Sequence, residues 1–178
     1  MSYDLQAANA VFSRAGGATA NLTGVAATAA KTYTTQNLTY CNQGKQYYVA
    51  GAAGATTPTT DAVTGKAFKA LQISQGCCYV WTVNAAGTVG LAQGPLPPSL
   101  PSGAIGTNID SNGNFTAPPQ FPSLPDSLTP FAYTVVTIGS TYAGTGFIPG
   151  SSDNWNATGV TSTQQDVGLG LPQVPQTS

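Results

Sequence analysis

A chain of 178 residues fits one domain, and a domain of that size buries about 70% of the surface its unfolded form exposes. Only 6% of the residues are charged, against roughly 25% in an ordinary soluble domain, and there is no histidine. Arg14, Lys31, Lys45, Lys66, Lys69 and six aspartates give a net charge of -1 with no run of either sign, so neither nucleic acid nor a membrane is expected as a partner.

Met1 to Gln6 carries no basic segment followed by an apolar one, and no apolar run is long enough to span a bilayer. Synthesis in a reducing cytoplasm is therefore expected. Residues 1–31 read as an extended N-terminal arm. Gly16, Gly17 and Gly24 break any useful helix, and Val11, Phe12, Leu22 and Val25 are almost all it has to bury. Such an arm needs a partner surface to become ordered, which makes Val11, Phe12 and Leu22 interface candidates.

Residues 32–167 read as a β-rich domain. Thr32 to Cys41 is strand-like, Asn42-Gln43-Gly44-Lys45 is a turn, and Gln46 begins a return strand. Ala50 to Lys66 is a long loop around Pro58, and Phe68 to Ile73 is predicted as a short strand anchored by Phe68 and Leu71. Gly76 to Gly94 is predicted as the central hairpin. Cys77, Tyr79, Trp81 and Val83 share one strand face and Cys78, Val80 and Thr82 the other, because side chains alternate along a strand. Both faces are largely apolar, which suits a strand covered on both sides. Asn84-Ala85-Ala86-Gly87 supplies the turn, with Gly87 taking the positive φ.

Beyond Gly94, Pro95, Pro97, Pro98 and Pro101 force an extended path that cannot join the middle of a sheet. Asp110 to Asn114 is a second turn. Its alternating Asp and Asn resemble the start of a calcium loop, but Phe115 stands where the glycine is needed and no glutamate exists to close the site. Ala117 to Pro130 carries Phe121, Leu124 and Leu128 as pegs between prolines, Phe131 to Ile138 is a strong strand, and Gly139 to Gly150 is a loop. Trp155 sits in a polar turn. Residues 168–178, with Pro172 and Pro175, form an extended C-terminal arm.

Sustained helical periodicity is absent, so the expected fold is all-β, an antiparallel sandwich or barrel of roughly seven to nine strands with proline-rich loops. Tyr79, Trp81, Val83, Phe131, Tyr133 and Val135 are the core candidates; Phe121, Leu124 and Trp155 join the interface candidates.

No catalytic residue, metal ligand or cofactor site emerges. Acid-base chemistry would have to use Asp4, Asp61, Asp110, Asp126, Asp153 or Asp166, which are scattered and mostly in turn contexts. Cys77 and Cys78 have no imidazole to activate them, and Cys41, Cys77 and Cys78 read as buried free thiols. Asn-x-Thr triplets at Asn21, Asn37, Asn114 and Asn156 are expected by chance in so Asn- and Thr-rich a chain. A neutral glycan could stack on Trp81, Trp155, Tyr47, Tyr48 or Tyr142; the competing reading puts Trp81 in the core and has Trp155 pinning the C-terminal arm.

Several segments together carry a resemblance: Asn42 to Lys45 followed by Tyr47, Thr57 to Phe68, Ala92-Gln93-Gly94, the proline-spaced run from Ala117 to Tyr133, and Asn154 to Val160. Over Thr32 to Val160 the chain resembles the head decoration (cement) proteins of tailed bacteriophages. It departs from them in the longer, proline-rich stretch from Gly94 to Ile109. The resemblance implies a β-rich virion protein, not an enzyme, made in the host cytoplasm and placed on the capsid exterior. It further implies the major capsid protein as partner and a homo-oligomer, trimer or dimer, bridging capsid subunits. A tail or fibre component binding a host glycan is the alternative.

Overall fold

The computed structural model describes residues 31–151, 154–167 and 171–177. Val11, Phe12 and Leu22, with the rest of the expected N-terminal arm before Lys31, lie outside the described residues. The described chain has no helix and eight strands: β1 (Thr32–Tyr33), β2 (Leu38–Asn42), β3 (Lys45–Val49), β4 (Ala55–Thr56), β5 (Gly76–Asn84), β6 (Val89–Gln93), β7 (Leu128–Ile138) and β8 (Val160–Asp166). All pairings between these strands are antiparallel. The main sheet runs β6-β5-β7-β8, while β1-β4 and β2-β3 form two small ribbons. The fold is all-β, and its main sheet is open, ending at β6 and β8.

The sheet is built outward from β5. Cys77, Tyr79, Trp81 and Val83 enter the larger core on one face, while Cys78 and Val80 enter a smaller core on the other. The period-two reading of this strand thus separates the two cores correctly. Its hairpin closes as expected: Gly87 takes a φ of 79°, its N–H donates to the Asn84 carbonyl, and Asn84 Oδ1 accepts from the N–H groups of Ala86 and Thr88. The β2-β3 turn places both Gln43 and Gly44 at positive φ, the two-residue geometry that matches strand twist.

β7 begins at Leu128, three residues before the strand expected from the sequence. A bulge opposite Trp81 and Thr82 explains how Pro130 joins an inner strand: Trp81 pairs with Ala132 and Thr82 with Pro130, leaving Phe131 as the extra residue. Proline has no N–H to give a ladder, and a bulge is where that loss is tolerated. The bulge also turns two consecutive residues, Phe131 and Ala132, into the larger core. All six core candidates are buried.

Three expectations are corrected. Phe68 to Ile73 is not a strand; isolated bridges at Ala67 and Leu71 hold it, although Phe68 and Leu71 are buried anchors. β8, rich in Thr and Gln, was not anticipated at all. Trp155 is 1% exposed and belongs to the larger core, so it is unavailable as an interface residue.

Trp81 is the hub of that core. It is fully buried, its ring lies 5.0 Å from Tyr33 and 5.9 Å from Trp155, and its Nε1–H donates to Thr134 Oγ1 at 3.0 Å. Trp81→Ala leaves a large cavity and an orphaned hydroxyl, and should cost about 3–5 kcal/mol in denaturant unfolding. A loss below about 1 kcal/mol would contradict its place at the centre.

Candidate functional site

Among the described residues, the cysteines are buried and Asp61 is engaged in backbone hydrogen bonds. Cys41, Cys77 and Cys78 are free and buried. Burial pushes the thiols of Cys77 and Cys78 far above their ordinary range, despite the Gly94 and Cys78 carbonyls that accept from Cys77 Sγ. Neither is poised as a thiolate nucleophile at neutral pH.

Asp61 is a clamp. Its Oδ1 accepts from the N–H groups of Val63 and Thr64, and its Oδ2 accepts from Gln93 N–H at 2.8 Å. Through it the 61–66 turn is fastened along the outer side of β6, where Ala62 N–H also reaches the Leu91 carbonyl. Gly90 permits this close approach, since a Cβ there would stand 2.9 Å from the Ala62 methyl.

Asp110 is the exposed head of the second turn. The N–H groups of Asn114 and Asn112 bond its Oδ1, which holds the carboxyl below its ordinary range. The turn closes through Gly113 at a φ of 85° and the Ile109–Phe115 bridge. Among the described residues no group of three His, Cys, Asp or Glu could hold a metal ion, and no helix is long and apolar enough to cross a membrane.

The aromatic platform considered for a glycan is largely internal. Trp81, Trp155 and Tyr142 are buried, Tyr47 is half-buried and stacks on Tyr40 at 5.5 Å, and only Tyr48 stands well exposed at 65%. Trp155 does not pin the C-terminal arm either. It packs against Tyr79, Trp81 and Phe147, and its Nε1–H donates to Thr57 Oγ1, fixing its own segment, residues 154–157, to the core.

Phe121 and Leu124 are half-buried against the smaller core, with the Phe121 ring edge-on to Tyr133 at 5.1 Å. These two interface candidates therefore spend much of their apolar surface within their own domain. The described part of the C-terminal arm does the same: Leu171 packs on the smaller core, Pro175 is buried, and Gln176 N–H donates to the Tyr133 hydroxyl oxygen.

What remains for recognition is surface. Two adjoining grooves, of about 540 and 340 Å³, share Lys69 and Leu96. Val63, Lys66, Pro95 and Pro122 line the first; Pro97, Pro98 and Ile105 line the second. Of the six exposed large apolar residues, Val63, Ile73, Leu100 and Ile105 line these grooves or adjoin their lining in the chain. The result is a proline-stiffened surface, mainly apolar in the first groove and mixed polar and apolar in the second, with Lys66 and Lys69 in its lining. On the other side of the main sheet, a groove of about 390 Å³ is lined by Thr137, Thr161, Thr163, Thr177, Asn114 and Phe115, among others.

Sequence reasoning treated the 95–105 stretch as a path and missed it as a surface. The signal was present in Leu96 and Leu100 standing between prolines and in Ile105 just beyond Pro101, in a stretch that no sheet can absorb.

No protein-family model matches the chain, no curated protein matches it, and no solved structure matches it.

The state of the two inner thiols is directly measurable. In the native protein at neutral pH, Cys77 and Cys78 should resist a thiol-alkylating reagent, and both should be modified once denaturant unfolds the chain; peptide mass spectrometry reads both states. Rapid native labelling of either would contradict their burial.

Proposed function

We propose that this chain is a structural virion protein that decorates and stabilises a bacteriophage capsid. In this reading it bridges neighbouring copies of the major capsid protein from the capsid exterior, as a homo-oligomer, after synthesis in the host cytoplasm. The observation that carries the proposal is the proline-lined surface of the two adjoining grooves, with Val63, Leu100 and Ile105 exposed in it or next to its lining. Exposed apolar patches of this kind mark sites of protein contact, and prolines lower the entropy lost when an extended segment is fixed on a partner.

Three further features support it. The cysteines and Asp61 are taken up by structure, which is in keeping with a protein that acts by adhesion. Scarce charge leaves little long-range repulsion between copies crowded on a lattice. The segments that resemble head decoration proteins include the Thr57 to Phe68 run, which contains Val63 and Lys66 of the first groove. A module touching two capsid subunits gains avidity because its second contact is intramolecular.

The test is to add purified protein to heads lacking it and count bound copies. A saturating number fixed by the lattice is expected, together with heads that withstand higher temperature. Replacing Leu100 and Ile105 with Ser should reduce bound copies by at least tenfold while leaving the melting temperature of the free protein nearly unchanged. Heads that take up no protein would overturn the proposal.

A second reading, a tail or fibre component binding a host glycan, is favoured by the groove on the other sheet face. Its threonine hydroxyls and the Asn114 amide surround Phe115, a pairing of polar donors with one aromatic surface. Binding to purified host polysaccharide, lost on Phe115→Ala, with no binding to undecorated heads, would replace the capsid reading by this one.

A further inference from the structure

The two ends of the main sheet are treated differently. β6 is covered along its outer side by the 61–66 turn, through the Asp61 clamp and the Ala62–Leu91 hydrogen bond. β8, at the other end, is paired with β7 alone among the described residues. It spans seven residues, Val160 to Asp166, without proline, lysine or bulge, the devices that ordinarily blunt an edge strand.

The ladder tells which backbone groups of β8 face outward. At its two ends Gly139 N–H donates to the Gly159 carbonyl and Val167 N–H donates to the Phe131 carbonyl. Odd-numbered residues therefore direct their N–H and C=O groups toward β7, and the alternation of an antiparallel pair turns those of Ser162 and Gln164 outward. Gln164 adds a second observation. It lies opposite Thr134, and its side-chain Nε2 is buried with no hydrogen-bond partner. A buried amide donor left unpaired is costly, and on this edge strand the Gln164 side chain gains an acceptor if it turns outward toward a neighbour paired along the edge.

We infer that β8 pairs with β8 of a second copy, antiparallel about a two-fold axis at Thr163, joining two four-stranded sheets into one of eight strands. In this register Ser162 and Gln164 of the partner subunit exchange both backbone hydrogen bonds, as do Gln164 and Ser162 of the partner subunit. The Gln164 amide then lies beside the hydroxyl of Ser162 of the partner subunit, on the same sheet face. Charge selects the antiparallel arrangement. Asp166 is the strand's one ionisable residue; it falls opposite Val160 of the partner subunit, whereas in-register parallel pairing would set it against its own copy. A two-fold pairing uses the same edge on both subunits and closes, so it forms a dimer and does not grow into a filament.

This deepens the homo-oligomeric part of the function proposed above, yet it is measured on the free protein. Failure to bind heads leaves it standing, and its own failure leaves head binding untouched.

The test combines mass and cross-linking. Sedimentation of the full chain should give twice the monomer mass. Ser162→Pro removes an outward N–H without touching the β7-β8 ladder, and should halve the measured mass while keeping the melting transition cooperative. Thr163→Cys, placed on the two-fold axis at a non-hydrogen-bonded pair, should yield a disulfide-linked dimer on mild oxidation, and Thr161→Cys should yield far less. A monomeric native chain, a trimer, a dimer indifferent to Ser162→Pro, or cross-linking at Thr161 in preference to Thr163 would each overturn the inference.

Discussion

Everything in this fold depends on β5 having to be dry on both faces. Eight of its nine residues are buried, and an apolar strand in the middle of a sheet has two surfaces to cover. The larger face carries Tyr79 and Trp81 and is covered by the rings of Tyr33, Phe68, Phe147 and Trp155 from outside the main sheet. Since the chain has almost no regular structure outside the main sheet, those rings tie its loops to the sheet. Burying an aromatic side chain contributes on the order of 2–3 kcal/mol, so a loop that donates one is held without ladder hydrogen bonds of its own. The smaller face takes a different solution. Phe115, Phe121, Leu124 and Leu171 are laid over Val80, Tyr133 and Val135 from proline-rich segments and the tail.

That division explains what was legible in the sequence. β5 was readable because period-two alternation with apolar residues at every position has one sheet interpretation, and the glycine of its turn marks the register. β7 was readable from Phe131 onward, but Pro130 conceals its first residues; only the bulge against Trp81 and Thr82 admits a proline there, and a bulge is a property of two strands together. β8 was invisible for the opposite reason. Val-Thr-Ser-Thr-Gln-Gln-Asp has no apolar face to announce it, and it is a strand because β7 offers it a ladder.

Trp155 shows the same limit on the functional side. Its neighbours in the chain are polar, and local composition placed it at the surface, yet the Thr57 hydroxyl and three rings capture it. The exposed apolar residues in and beside the grooves were overlooked because composition ranks a residue by its type. Leu100 and Ile105 look like core residues by type and are about half exposed, at 54% and 51%. What distinguishes them is position, in or just beyond the proline-rich stretch, in a segment that has no sheet to join.

The scarcity of charge gives these surfaces a common character. In an ordinary domain the rim of an interface is set by ion pairs whose strength falls with salt. Here the described cations are four lysines, and two of them, Lys66 and Lys69, flank one groove system. Contacts elsewhere must be made by apolar area, by hydroxyls and amides, and by backbone groups such as those along the outer side of β8. Such contacts are short-ranged: they do not steer an encounter from a distance, and they reward only close geometric fit. A chain made this way gains most where its partners are already positioned at fixed spacing, because the ordering cost is then borne by the lattice and each further contact adds at high effective concentration. The asymmetry of the two sheet edges follows the same logic. With the Asp61 clamp closing the β6 side, the edge at β8 is the one left unpaired among the described residues, and pairing through a single edge would give a closed pair where two would give an unlimited ribbon.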